Sequence, residues 1–358
     1  MLKRLLLAVN PGSTSTKFSL FEEDLQVFEK TLVHTMEEIS RYSKITDQFH
    51  FRKNLIMKEL YIRNIDLSAI AAIVSRGGLL KPIESGIYEV NEMMINDLKS
   101  GIYGQHASNL GALIARDIAS SLPVARAFIV DPVVVDELQP EARITGIPEI
   151  RRRSIFHALN QKAVARMYAA SEGKNYEDLN LIIAHMGGGI SVGAHRKGRV
   201  VDVNNALDGD GPFSPERSGS LPAGQLVDMC FSGKFTSQEI RSKLTGKGGL
   251  VAWLGTNDFR EVCKLAEEGN RNAILIRDAA AYQVGKAIGS MAAVLKGSVD
   301  AIILTGGMAY QDSHISYIKS MVSTIARVVV YPGEDEIKSL AFNGLLGLDG
   351  KIAIKKYS

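Results

Sequence analysis

Leu181-Ile-Ile-Ala-His-Met-Gly-Gly-Gly-Ile-Ser-Val-Gly-Ala-His195 is an apolar run that breaks into three glycines and resumes as alternating, strand-like sequence. It reads as strand, phosphate turn, strand. Glycine carries no Cβ, so Gly187, Gly188 and Gly189 let backbone N–H groups crowd around an anion that a larger side chain would hold off. The same plan occurs once before, in Leu5-Leu-Leu-Ala-Val-Asn-Pro-Gly-Ser-Thr-Ser-Thr-Lys-Phe18; with Ala8 set on Ala184, Gly12 falls on Gly188. Two phosphate turns, one in each half, predict a duplicated nucleotide-binding fold.

A chain of 358 residues is long for one domain and sufficient for two, each with a core of ordinary size. With 46% apolar and 23% charged residues the composition is that of a soluble globular protein. No stretch of 18 apolar residues is present to span a membrane. Lys3 and Arg4 precede only Leu5 to Val9 before Asn10-Pro11, too short for a signal-peptide core, so a cytoplasmic protein is expected. Cys230 and Cys263 fit neither a disulfide framework nor a thiolate metal cluster, and any metal would be oxygen-bound. A dispersed net charge of +3 argues against nucleic acid, yet does not repel a polyanionic small substrate.

Taken in order, residues 4–9 and 15–21 form a predicted hairpin around Asn10-Pro-Gly-Ser-Thr-Ser-Thr-Lys17, a turn rich in donors. An ordinary Ser/Thr-rich hairpin has the same composition, and the match to the second loop sets this one apart. A strand at 25–33 and a helix over 50–63 follow. Ile70 to Ser75 is a buried-type strand ending in Arg76-Gly77-Gly78, an arginine that points into a crevice or forms a surface ion pair. His106 and Asn109 stand at the start of a helix with Leu110, Leu113, Ile114 and Ile118 on one face and Ser108 as a cap; there His106 either faces an anion or packs. Asp131, before Pro132, lies at a strand's carboxyl end, where open α/β sheets bind ligands, or simply begins a turn.

Arg151-Arg-Arg-Ser-Ile-Phe156-His157 reads as a solvated hinge into the second domain, with His157 at the start of a helix over 158–171. Asp208 to Pro222 is a long, rigid, functional loop carrying Arg217. Helices near 224–231 and 236–244, the string Asp258-Phe-Arg260 and a long buried helix over 272–295 come next. A strand at 299–305 ends in Gly306-Gly307, and Pro332-Gly-Glu-Asp-Glu336 leads into the last helix.

These strings, in this order and spacing, resemble the acetate and butyrate kinases, within the wider group of sugar kinases and actin. The resemblance covers nearly the whole chain. It rests on Asn10-Pro-Gly-Ser-Thr-Ser-Thr-Lys17, Phe156-His157, His185-Met-Gly-Gly-Gly189, Glu216-Arg-Ser-Gly219, Asp258-Phe-Arg260 and Pro332-Gly-Glu-Asp-Glu336. The chain's shortness, Gly104-Gln-His-Ala-Ser-Asn-Leu-Gly-Ala112 and Arg217-Ser-Gly-Ser-Leu-Pro222 look like the butyrate branch. The fold implied is α/β, with two duplicated actin-like (ribonuclease H-like) domains and a ligand cleft between them. Residues 1–154 with 335–358 would form the acyl-substrate side, and 155–334 the nucleotide side.

The resemblance implies reversible phosphoryl transfer from ATP to butyrate or a similar short-chain acid, with Mg2+, in a homo-oligomer of at least two subunits. Acetate and branched-chain acids are the nearest alternative substrates, and an ATP-switched actin-like scaffold is the alternative of another class. Arg76 and Arg217 match the family's transition-state arginines, His157 its phosphate-facing histidine and Asp131 its essential aspartate. Nucleotide contacts fall on His185, Gly187, Gly188, Gly189, Asp258, Phe259, Arg260, Gly306 and Gly307, and acyl-side contacts on Gly77, Gly78, His106 and Phe156. Asn10 and one acid of the final cluster match the magnesium site; ungapped matching selects Asp335, with Glu334 and Glu336 one residue away. Gly188 replaces an asparagine, and Gly306-Gly-Met-Ala-Tyr310 replaces a Gly-Ile-Gly-Glu-Asn loop, which leaves backbone contacts to the nucleotide. Acetate kinases carry two valines after the arginine that matches Arg76. Gly77 and Gly78 therefore lead us to expect a recessed wall with room for a longer acyl chain.

Overall fold

The computed structural model describes residues 4–358, so Lys3 of the signal-peptide reading lies outside the described residues. Its strands, in chain order, are β1 (Leu5–Pro11), β2 (Ser15–Glu22), β3 (Leu25–Val33), β4 (Ile70–Arg76), β5 (Ile87–Glu89), β6 (Arg126–Val130), β7 (Asn180–Met186), β8 (Ile190–Arg196), β9 (Arg199–Val203), β10 (Ala301–Gly306), β11 (Val328–Pro332) and β12 (Ile354–Lys356). They form two sheets, ordered β12-β5-β6-β4-β1-β2-β3 and β11-β10-β7-β8-β9. The series β3-β2-β1-β4-β6 and β9-β8-β7-β10-β11 are the same arrangement: an antiparallel meander whose first strand then pairs in parallel with the later ones. The duplication read from two glycine turns is thus a duplication of topology, and the fold is mixed α/β of the actin-like type. In register, Ala8 pairs with Val74 and Ala184 with Leu304. Two residues on, Arg76 and Gly306 occupy corresponding strand ends, a cation in one unit and a close-approach glycine in the other.

The first compact unit runs up to Val135 and includes Asp335–Ser358. Leu6, Leu7, Ala8 and Val9 of β1 are all fully buried. Such a continuous apolar run belongs to a strand covered on both faces. One cover is the helix Asn109–Ser120, whose Leu110, Leu113, Ile114 and Ile118 share a core with Leu7, Val9 and Ile73. The other is the helix Glu336–Leu348, which packs on β1 and β4. At the sheet edge, β3 alternates between exposed and half-buried residues, as a one-sided strand does.

The second unit is Asp136–Glu334. Along β7 the period of two sends Leu181 and Ile183 toward Val164, Ala165 and Tyr168 of the helix Ala158–Ser171. Ile182 and Ala184 face Ile276, Ala280 and Val284 of the 24-residue helix Arg271–Val294. The unit begins earlier than residue 155 because the preceding segment is fastened to it. Gln139 N–H donates to Val201 O at 2.9 Å, Lys162 pairs with Glu137 at 2.9 Å, and Arg152 binds Asp202 at 2.8 Å and Val203 O at 3.0 Å. Arg152 is therefore a fixed strut, not a solvated hinge. Local patterns also missed the helices Glu92–Ser100, Gly249–Leu254 and Phe259–Glu267. Among the described residues no helix is long and apolar enough to cross a membrane.

Candidate active site

In the first unit the turn after β1 is held from within by Arg52, 1% exposed, on the helix Phe49–Ile62. Its guanidinium donates to the carbonyls of Gly12 (2.6 Å), Ser13 (3.0 Å) and Ser15 (3.0 Å), and to Gln48 Oε1 at 2.7 Å. Burial lowers its pKa to about 10, so it stays charged at neutral pH. Nothing local in the sequence marks Arg52; only the fold brings a helix arginine under the turn.

Beside that turn, Asn10 Nδ2 donates to Glu336 Oε2 at 2.7 Å, and Arg76 Nη1 lies 3.2 Å from the same oxygen. Glu336 is buried, and its other oxygen has no hydrogen-bond partner. Asp335 stands elsewhere. It caps the helix Glu336–Leu348 and pairs with Lys338 Nζ at 2.9 Å, on an exposed side chain. The acid brought to Asn10 is thus Glu336, one residue from the position ungapped matching selects.

Asp131, at the end of β6, has φ of +37°, a rare conformation for a side chain other than glycine. It is buried, and Oδ1 accepts from Ser85 Oγ at 2.6 Å and Gly86 N–H at 2.8 Å. Gly77 and Gly78 do not recess a wall. A Cβ on Gly77 would lie 2.8 Å from Ile129 Cδ1, and one on Gly78 2.6 Å from Asn109 Cα. Both glycines let the end of β4 pack against its own neighbours, which occupy the space that a larger side chain would take. Ser108 stands at the cap position, but its hydroxyl makes no capping hydrogen bond: it pairs with His106 Nδ1 at 2.8 Å, and the Ser108 N–H donates to the same nitrogen at 3.2 Å. His106 is half-buried and held to Ser108 at the helix start.

In the second unit the glycine turn closes through Gly187 N–H to Gly189 O at 3.0 Å, and Ser214 Oγ holds the Gly188 carbonyl at 2.7 Å. Nothing lies within 4 Å of a Cβ built on Gly188. On Gly189 a Cβ would overlap the guanidinium of Arg217, whose Nη1 donates to Ala206 O. Arg217 is thereby laid directly on the turn. His157 stacks on His185 with ring centroids 3.8 Å apart and planes at 14°. Buried His185 binds Asn160 Oδ1 at 2.8 Å through Nδ1, while Nε2 lies 3.1 Å from Glu334 without a hydrogen-bonding angle. Phe156 is buried, 2% exposed, and does not line the cavity beside the turn.

That cavity, of about 390 Å³, is large enough for a small ligand. Gly187, Gly188, Asp258, Phe259, Arg260 and Gly307 line it, six of the nine residues matched to nucleotide contacts. The other three stand behind the lining. His185 is buried, Gly189 carries Arg217, and Gly306 has φ of +91° with its Cβ position against the Met186 backbone. Asp258 caps the helix Phe259–Glu267 through Arg260 N–H. The Arg260 guanidinium folds back and holds the Asp258 carboxyl below its ordinary value. Glu216, Asn257, Tyr310 and Gln311 also line the cavity and were not selected from sequence, although Glu216 and Tyr310 sit inside the quoted strings.

The acetokinase family model matches residues 145–326. The chain is 56% identical to butyrate kinase 1 of Clostridium acetobutylicum over 98% of this chain and 99% of that protein. Its fold is similar to that of the acetate kinase of Porphyromonas gingivalis, with a TM-score of 0.78 at 19% identity, covering 96% of this chain and 100% of the other. It is also similar to the fold of a propionate kinase from Francisella tularensis, with a TM-score of 0.75 at 20% identity over 95% and 98% of the two chains.

Proposed function

Because the chain belongs to the acetokinase family, we propose that it catalyses transfer of the γ-phosphoryl group of ATP to the carboxylate of butyrate, giving butyryl phosphate and ADP, reversibly. It is a carboxylate kinase. The observation that carries the reading is the open glycine turn with Arg217 laid on it and the His157–His185 stack in the same unit.

A carboxylic acid with a pKa near that of Glu, about 4.3, is ionised at neutral pH, so its attacking oxygen needs no base. Asp131, held by Ser85 and Gly86, need not remove a proton, and we assign it to shaping the end of β6. The obstacle is repulsion between a carboxylate and a polyanion. Charge in the loose transition state spreads over equatorial phosphoryl oxygens, where fixed cations and donors act most strongly. We assign Arg217 and His157 to those oxygens and Arg76 to neutralising the approaching carboxylate. Backbone N–H groups of the glycine turn take the ATP phosphates, and the cavity by Asp258, Phe259 and Arg260 takes the rest of the nucleotide.

Among the described residues no three metal-ligating side chains cluster. That suits Mg2+, which is commonly held by one or two protein oxygens and the substrate phosphates. Asn10 and Glu336 fit it, since the unpartnered buried oxygen of Glu336 is a hard, anionic ligand. Bound there, Mg2+ would neutralise phosphate charge.

We infer a cytoplasmic location from the proposed use of ATP. Self-association into at least a dimer is proposed from the helix Ala223–Phe231, which buries none of its residues although Phe231 is 86% exposed and Val227 53%. Sedimentation of the protein and of Phe231→Glu tests that point.

The activity is tested by trapping acyl phosphate with hydroxylamine across acids from acetate to hexanoate, with isobutyrate and isovalerate included. The highest kcat/KM is expected for butyrate. Absence of hydroxamate with every acid, while the nucleotide still binds, would sink the kinase reading. A maximum at acetate or a branched acid would replace the substrate and leave the reaction class.

A further inference from the structure

Behind His157 runs a buried chain of polar side chains whose direction can be worked out atom by atom. Gln161 is fully buried on the helix Ala158–Ser171, and its Nε2 lies 3.0 Å from the carbonyl oxygen of Ser191 and 2.8 Å from Ser191 Oγ. A backbone carbonyl only accepts, so the amide nitrogen must be at that end and Oε1 at the other. Oε1 is 2.9 Å from His195 Nε2, which must therefore carry a hydrogen, and His195 Nδ1 accepts from Tyr176 OH at 2.6 Å. Burial, with Lys162 and Arg166 nearby, holds His195 well below its ordinary pKa, so this ring is neutral.

At the other end, Ser191 Oγ accepts from Gln161 Nε2 and receives the His157 backbone N–H at 3.5 Å. Both lone pairs are then used. The remaining contact, His157 Nδ1 at 2.9 Å, is where the hydroxyl proton goes. We propose that Gln161 and Ser191 are positioning residues that oblige His157 to accept at Nδ1 and so to carry its proton on Nε2. This rests on His157 meeting the transferring phosphoryl group, and it makes the outer nitrogen of that ring a permanent donor to phosphoryl oxygen. The stack on His185 keeps the ring plane while the serine sets its proton.

Nitrogen NMR of histidine-labelled protein, with His157 assigned from the spectrum lost in His157→Gln, reads the tautomer directly and needs no substrate. In the wild type, Nδ1 of His157 should give the shift of an unprotonated ring nitrogen and Nε2 that of a protonated one. A proton found on Nδ1 would overturn the inference whatever the activity. In Ser191→Ala the preference should be lost, with kcat down about tenfold to a hundredfold and KM for ATP within about twofold. A Ser191→Ala protein that kept the wild-type tautomer would also overturn it. If the tautomer shifted as expected but kcat did not fall, the proton assignment would stand and the catalytic role given to His157 would fail.

Discussion

Asn10 and Glu336 are 326 residues apart in sequence and 2.7 Å apart in space, amide nitrogen to carboxylate oxygen. Arg76 reaches the same oxygen, and the second oxygen of Glu336 is buried without a hydrogen-bond partner. A buried charge left half satisfied is costly unless something completes it. Under the proposed function, a cation or its bound water would do so.

Glu336→Gln should therefore raise the Mg2+ concentration needed for half-maximal activity by tenfold or more. Asp335→Asn removes the Lys338 pair but retains a good capping residue, so it should cost no more than about 1 kcal/mol and leave Mg2+ dependence unchanged. Mg2+ titrations of initial rate on both variants decide it. A response confined to Asp335→Asn would return the metal to that residue.

Arg217 rests on Gly189 so closely that a methyl group there must displace it. Arg217→Ala and Arg76→Ala should each lower kcat roughly a hundredfold or more with much smaller changes in KM for ATP. Gly189→Ala should repeat the Arg217 loss in part. Gly188→Val meets open space within its own unit and should instead weaken ATP binding in a folded protein. Steady-state kinetics with nucleotide-dependent melting separates the two classes. Near-normal kcat in Arg217→Ala would remove that residue from the site.

Gly78→Val was the natural way to narrow an acyl pocket, but the structure changes what it should do. Its Cβ would press on the Asn109 backbone at 2.6 Å, and Asn109 also ties Leu79 N–H and Gly104 O. The variant should lose about 1–3 kcal/mol of stability, as overpacked cores do, with no shift toward acetate. Thermal melting and the acid series measure the two effects. A stable variant with acetate preferred would restore the recessed wall.

What the sequence revealed follows from how local the cause is. Glycine turns, the strand ends at Arg76 and Gly306 and the order of the repeat are written in neighbouring residues, and they hold in the fold. Glu336 was misranked because three consecutive acids differ only in which way the start of a helix turns them. Gly77 and Gly78 misled because a missing Cβ signals close approach without saying of what. Arg52, Gln161 and Ser191 escaped notice since their partners lie 30 to 40 residues away, at distances only tertiary structure fixes.

Two buried histidines make stability depend on pH in a defined window. His34, 2% exposed, and His314, fully buried, are both pushed down to about 4 from an ordinary 6.5, chiefly by burial. Neither nitrogen of His314, nor Nδ1 of His34, has a hydrogen-bond partner. Because the folded-state pKa lies below the unfolded one, the unfolded chain binds more protons between these values. Stability therefore falls as pH drops from about 6.5 to about 4, and is fully present above it. From pH 7 to 5 each ring should cost on the order of 1–2 kcal/mol, and His195, also buried and lowered, adds in the same direction. Carboxylates lowered by their partners, such as Glu23 beside Arg4, lose their contribution only as pH falls through and below the ordinary carboxylate range, so melts between pH 7 and 5 report mainly the histidines. Calorimetric melts at pH 7, 6 and 5 should show a falling Tm, with a shallower fall in His314→Leu. A Tm independent of pH over that range, or an identical slope in the variant, would mean that these rings are not held neutral by burial.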